Sequence, residues 1–582
     1  MKRALLLAAL LVSAAGYVFL QTTAPAPQLA TLMPRGALLY LEAPDFGRLL
    51  RDWDESKVKA DWLDSGNYAV FSRSNLFTKL EEVYGQYGEA AGFVPGLQSI
   101  VEIAGTDSAL ALYEIRDVEF LFIGRVADAD IMKSQLWAVR DKFEQRQAGG
   151  LPFYLRTDPA SKRTVAFAFA KGLLLLATRD DLLAQALELL AGVGQASRPV
   201  TLVASIASDH WYRDATAAAP NSGELRLVMN LEALVKSVYF RSYWVQRNAA
   251  TVRRYWAGVA DVKRSSGNIT ETRVFLRTPE ALQPARETPG SASPSDLLAL
   301  VPPDAGLYKA SVIADSSEVA ALIVQKLIGP QTQRSRDWRY APMALSPDLA
   351  AGSEADLETR IDEQPLPADA GISDSEAAAR AMVERAGARS VLSLQASSPA
   401  AGTFVPMGSV IVLAGARDWD RDSVRSALTA AAGKLWTTSQ LGAGWVGGTS
   451  GGHPIERLDG LGTLMFADRG RLLFLSNDSR LLGAALDRVG TRPPAGAFTF
   501  AAGFRHLRER PNYERVMTAL DFASSSGNRG PGWGNSQGGT PTFFTGNIAS
   551  LSRILSQVTE VRVTEEERGL ATLQTVRYQL GQ

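Results

Sequence analysis

Residues 165–190 read VAFAFAKGLLLLATRDDLLAQALELL, and residues 463–488 read TLMFADRGRLLFLSNDSRLLGAALDR. Each stretch spells an apolar strand, a tight turn, a second apolar strand and an amphipathic helix. Laid over one another without a gap, Gly172 meets Gly470, Leu174 and Leu175 meet Leu472 and Leu473, Asp180 meets Asp478, and Leu183 meets Leu481. Glycine supplies the positive φ that a two-residue hairpin turn needs. Asp180 and Asp478 stand where a helix N-cap belongs, just ahead of the paired leucines.

The likeness extends outward in both directions. Leu32-Met33-Pro34 leads into Leu38-Leu39-Tyr40, as Leu300-Val301-Pro302 leads into Gly306-Leu307-Tyr308, with a helix expected from Asp45 and from Asp315. Ala104-Gly105 before residues 106–112 matches Ala386-Gly387 before residues 388–394. Residues 120–124 match 410–414, and Asp128-x-Asp130 matches Asp418-x-Asp420. Near the ends of the halves, residues 259–263 (VADVK) parallel 558–562 (VTEVR), each ahead of a closing strand. A fixed order of elements recurring with its turn chemistry indicates a repeat. The expected fold is therefore α+β: two tandem homologous domains, each a mainly antiparallel sheet with packed helices. Their expected bounds are 30–278 and 296–582, joined by a Pro/Ser/Thr-rich linker at 279–295. Mobile insertions are expected near 331–375 and 524–546, where the chain turns polar or Gly/Ser/Asn-rich.

The strand after Leu-x-Pro, the Lys171-Gly172 hairpin feeding Asp180-Asp181-Leu182-Leu183, and the passage from His210-Trp211-Tyr212 through Pro220 to residues 225–231 resemble an uncharacterised bacterial envelope family. It is a domain-of-unknown-function family whose members join an N-terminal export signal or anchor to a duplicated α+β domain. The resemblance covers most of the chain after residue 30. It implies location and architecture, and it carries no catalytic residues to transfer.

Residues 1–23 agree with export. Met1-Lys2-Arg3 is a short basic start, and residues 4–20 are an unbroken apolar run. Two readings stand. Cleavage at Ser13-Ala14-Ala15 would free the body into the periplasm, whereas the full run, close to the ~20 residues that cross a bilayer, would anchor it to the inner membrane facing the periplasm. The 582-residue chain has no cysteine, which excludes disulfides, thiolate metal sites and cysteine nucleophiles. Its 61 basic and 61 acidic residues cancel, so it offers no net field for nucleic acid.

Several motifs imitate chemistry. Gly448-Thr449-Ser450-Gly451-Gly452 fits a nucleophile-elbow spacing, but an elbow joins a strand to a helix, and here a strand follows. His453 is too close in sequence to face Ser450, and the first half has Gln147-Ala148-Gly149-Gly150 in that place, with no serine. Asp418, Asp420 and Asp422 suggest a calcium loop, yet its sixth and twelfth positions hold Ser423 and Thr429 instead of glycine and glutamate. Helix capping is the reading adopted. His210, His453 and His506 lack the i, i+4 spacing of a helical zinc site. No metal and no cofactor is expected.

One segment invites recognition. Residues 239–256 gather Tyr239, Phe240, Arg241, Tyr243, Trp244, Arg247 and Trp256, a mixture that suits a membrane interface, a sugar or a protein partner. The sequence does not state a function. The expectation is a non-enzymatic exported envelope protein, a binding module, scaffold or assembly accessory for an unknown partner or ligand. The alternative is a periplasmic hydrolase using carboxylates that folding brings together.

Overall fold

A computed structural model describes residues 28–73, 75–192, 204–220, 223–236, 252–281, 292–329, 374–398, 407–436, 444–460, 462–512, 514–515 and 556–581. The fold is α+β with extensive antiparallel sheet, and the chain divides into two compact units.

The first unit draws on Met1–Arg51, Glu81–Ala217 and Leu227–Asn230. Its strands are β1 (Leu39–Ala43), β2 (Ser108–Glu114), β3 (Glu119–Arg125), β4 (Glu144–Ala148), β5 (Leu151–Thr157), β6 (Thr164–Ala170) and β7 (Leu173–Ala177), with β8 (Leu225–Met229) beside β1. They lie in the order β8-β1-β2-β3-β7-β6-β5-β4, antiparallel from β1 to β4. Alternation sorts the side chains onto two faces. The cross-sheet row Tyr40–Ala111–Leu121–Ala177–Ala166 is buried throughout. Helix Asp180–Gly192 packs along β6 and β7 and buries Leu182, Leu183, Ala186 and Leu187. The neighbouring row Leu110–Phe122–Leu176–Phe167 faces the other way, under helix Leu97–Ala104 and the last turns of helix Asn75–Ala91.

The second unit draws on Asp52–Leu80, Ala218–Arg226 and Leu231–Gln582. It contains β9 (Tyr255–Ser265), β10 (Asn268–Arg277), β11 (Leu307–Val312), β12 (Ser390–Ser397), β13 (Met407–Ala414), β14 (Gly444–Ser450), β15 (His453–Asp459), β16 (Thr463–Arg469), β17 (Leu472–Ser476), β18 (Phe500–Phe504), β19 (Val558–Arg568) and β20 (Ala571–Leu580). Their order is β9-β10-β20-β19-β18-β11-β12-β13-β17-β16-β15-β14, antiparallel throughout. The run β11-β12-β13-β17-β16-β15-β14 thus has the connectivity of β1-β2-β3-β7-β6-β5-β4. Its row Tyr308–Leu394–Val410–Ser476–Met465 stands in the register of the row through Tyr40. Helix Ser479–Leu486 covers this face with Leu481, Leu482, Ala485 and Leu486.

These registers correct the gapless match of the two hairpins. Ala170 pairs with Leu173 and Arg469 with Leu472, so Gly172 is second in its turn and Gly470 first. Lys171 and Gly172 both have positive φ (+54° and +72°), as a type I′ turn requires. Gly470 (+59°) takes the first central position, which is the glycine site of a type II′ turn. Matching glycine to glycine therefore slips the strands by one residue, and such a slip exchanges the faces. The helix starts obey the same shift. Asp478 is an N-cap whose carboxylate accepts the Leu481 N–H at 2.9 Å, whereas Asp180 is already the first helical residue.

The hairpin β9–β10, read from sequence as the end of the first repeat, is hydrogen-bonded along β20, from Asn268↔Gln579 to Leu276↔Ala571. Within the linker range, Pro279–Ala281 forms a 3-10 turn and Pro294–Leu297 a helix capped by Ser293. The leader at 1–23 and the insertions near 331–375 and 524–546 lie outside the described residues, except Asp374 and Ser375, which open helix Asp374–Ala386. Among the described residues no helix is long and apolar enough to cross a membrane.

Candidate functional site

In the second unit the face opposite helix Ser479–Leu486 is solid over its centre. Ile411, Leu475 and Phe466 are fully buried there beneath helices Asp374–Ala386 and Arg421–Trp436, with Trp419 and Trp436 completing the core. Register makes Phe122, Leu176 and Phe167 their counterparts in the first unit. There the covering helices leave a hollow of about 350 Å³. Its floor includes Leu110, Phe120, Phe122 and Leu176, and its roof Phe46, Tyr87, Ile100 and Ile103. Small residues on the covering helices (Ala91, Ala104) keep it open. Leu110 and Leu176 are interior sheet positions yet only half-buried, because they border this space. Tyr84 lines it and is also 46% exposed, which places it at the mouth, near the loop that carries Phe93 and Pro95.

The wall has few polar side chains, and those set into it are used by the protein itself. The Ser99 hydroxyl donates to Gly96 O and accepts the Gly96 N–H, both at 2.8 Å. Thr178 Oγ1 accepts the Phe120 N–H at 2.9 Å. The Tyr87 hydroxyl donates to Asp117 O and Val118 O at 3.1 Å, and burial holds its pKa above the ordinary phenol value against the pull of Arg163. Among the described residues, no carboxylate, histidine or lysine borders the hollow. A wall of this composition favours apolar groups over polar ones through their exclusion from water.

Two other concavities carry charged side chains, one of mixed character and one largely apolar. On the far side of helix Leu97–Ala104, an open depression of about 780 Å³ collects Asp45, Glu102 and Asp130 with Arg51, Arg125 and Lys133. Acid and base alternate there, and part of the set is structural: Asp45 accepts the Arg48 N–H at a helix start, and Arg125 pairs with Asp107 at 3.1 Å. In the second unit a trough of about 520 Å³ runs between β11, β12, β18 and β19 and helix Ser316–Ile323, with Lys309, Lys326, Asp315 and Glu318 on its rim.

The sequence motifs find structural uses. Ser450 and His453 are direct partners across the β14–β15 turn, so they emerge on one face, and each side chain bonds a different group. The serine is nevertheless 4% exposed, and its hydroxyl donates to Ser479 O, tying the hairpin tip to helix Ser479–Leu486. His453 Nε2 lies 2.8 Å from Asp487 Oδ1 at the surface. Asp420 caps helix Arg421–Trp436 through the Ser423 N–H at 3.0 Å, and hydrogen bonding from Ser423, its hydroxyl first and then its N–H, holds the Asp420 carboxyl below the usual range. His210 and His506 both open helices, His210 exposed and His506 buried. Of the recognition residues, Trp256 lies half-buried in β9, while Tyr239, Phe240, Arg241, Tyr243, Trp244 and Arg247 fall outside the described residues.

The sequence reading missed the hollow. A void is a property of how helices meet a sheet, and the only local trace is small residues at the meeting points. No family model matches the chain, and no curated protein matches it. Solved structures of TP0453 in crystal forms I and III align with 44% of this chain and 81–82% of theirs, at 13–14% identity and a TM-score of 0.23, too low to carry an argument about fold or function.

Proposed function

We propose that this chain is an exported, non-enzymatic envelope protein whose first unit binds an apolar small molecule. The observation that carries the reading is the hollow under helix Leu97–Ala104, with its buried hydroxyls turned to the backbone. The leader at 1–23, cleaved or kept as an inner-membrane anchor, would place the units in the periplasm. The body would then stand beside the membrane that supplies such molecules. We further propose that the two units descend from one α+β domain written twice. Shared connectivity, the matching registers of the rows through Tyr40 and Tyr308, and the paired Gly105 and Gly387 support this.

Titration of the purified full chain with the apolar fluorophore N-phenyl-1-naphthylamine tests the binding reading. One saturable site per chain is expected, abolished by Ile103→Trp, which fills the hollow. Absence of saturable binding to the wild-type chain, with folding confirmed by circular dichroism, overturns it. The mass of the mature N-terminus decides between cleavage and anchoring.

A further inference from the structure

We propose that the ligand of the first unit is a single unbranched alkyl chain of about twelve carbons, whose head group stays in water. This rests on the binding reading above and narrows it. The floor crosses neighbouring strands: Leu110 of β2 pairs with Phe122 of β3, Phe122 pairs with Leu176 of β7, and Val165 of the adjacent β6 also lines the space. Four strands at the usual spacing span about 14 Å. A volume of about 350 Å³ drawn out over that length has a section of about 25 Å². That section suits one extended polymethylene chain. At the roughly 30 Å³ that a water-sized group occupies, the space corresponds to about twelve methylene-sized groups.

The chemistry of the wall fixes the other end of the ligand. Ser99, Thr178 and Tyr87 already serve backbone partners, and among the described residues no cation borders the hollow. A charged head drawn inside would lose its hydration with nothing to replace it. It therefore stays at the mouth near Tyr84, where it makes no specific bond. Selectivity is for chain length alone.

Calorimetric titration of the full chain with n-alkyl carboxylates of eight to sixteen carbons, each below its micellar concentration, tests this. Affinity is expected to rise about fourfold per methylene and to level off near twelve carbons. Alkyl alcohols and alkyl trimethylammonium ions of equal length are expected to follow the same curve within about twofold. Leu110→Trp should move the break to shorter chains, with Leu507→Trp, at a 66% exposed site, as the unchanged control. If Leu110→Trp does not fold, Ala104→Leu takes its place. A flat length series, a rise continuing to sixteen carbons, or a strong head-group preference, with the fluorophore still bound, overturns this inference and leaves the binding reading standing. Failure of both the fluorophore and the alkyl series overturns the binding reading itself.

Discussion

His506 is 2% exposed, and burial is the main cause that holds its pKa below 6.5, opposed by a backbone hydrogen bond to Val558. The unfolded chain binds this proton more readily than the folded one. Stability is therefore fully present above about pH 6.5 and drains away as pH falls below it towards the folded value. Thermal unfolding followed between about pH 5.5 and 7.5 should show a midpoint that drops on acidification, and His506→Asn should flatten that slope. The sequence offered His506 only as one of three scattered histidines. Its burial comes from tertiary packing, which no local pattern encodes. Gly105 is the opposite case. It was matched to Gly387 from sequence, and both have positive φ, +66° and +59°, just after a helix. A Cβ at Gly105 would come within 2.1 Å of Arg125 O, so backbone geometry forces the glycine and the sequence shows it.

Hairpins and helices follow the same logic one level up. The tips of β4–β5 and β14–β15 each rest on the helix that follows β7 or β17. A Cβ on Gly149 would meet Leu187 O at 2.9 Å, and one on Gly483 would meet Gly451 N at 3.0 Å and Ser450 Oγ at 3.1 Å. Gly483→Val should therefore force the tip off its helix and cost about 1–3 kcal/mol. Ser450→Ala should cost only about 1 kcal/mol, the worth of its one hydrogen bond. Urea midpoints of the two variants check this order, and a catalytic serine is not needed to explain it. The succession of elements along the chain and the hairpin placement were legible because apolar runs and turn glycines are local signals. Register was not, since matching Gly172 to Gly470 ignores that a glycine can occupy either central position of a two-residue turn. The hollow beneath helix Leu97–Ala104 was illegible for a third reason. Phe122 and Ile411 are both apolar strand residues, and only the packing of distant helices makes one a cavity wall and the other solid core.

At the scale of the whole molecule the two halves expected from the sequence are not self-contained. The second unit takes β9 and β10 from the sequence of the first, and Thr272 sits mid-strand between Asp261 of β9 and Thr575 of β20. Thr272→Pro removes a backbone donor from an interior strand. It should destabilise the second unit by at least about 1–3 kcal/mol, read as an earlier denaturant transition.

The borrowed hairpin also sets a clock. Arg273 of β10 bonds Gln574 of β20 across 301 residues of sequence. At a synthesis rate of roughly 5–20 residues per second, β10 waits on the order of 15–60 s before its partner exists. For that interval its outer edge is an open template, the arrangement that invites mispairing between nascent chains. Lys263 and Arg264 on β9 and Glu271 and Arg273 on β10 put charge along this hairpin, the kind of feature that discourages a stray strand until the last one arrives.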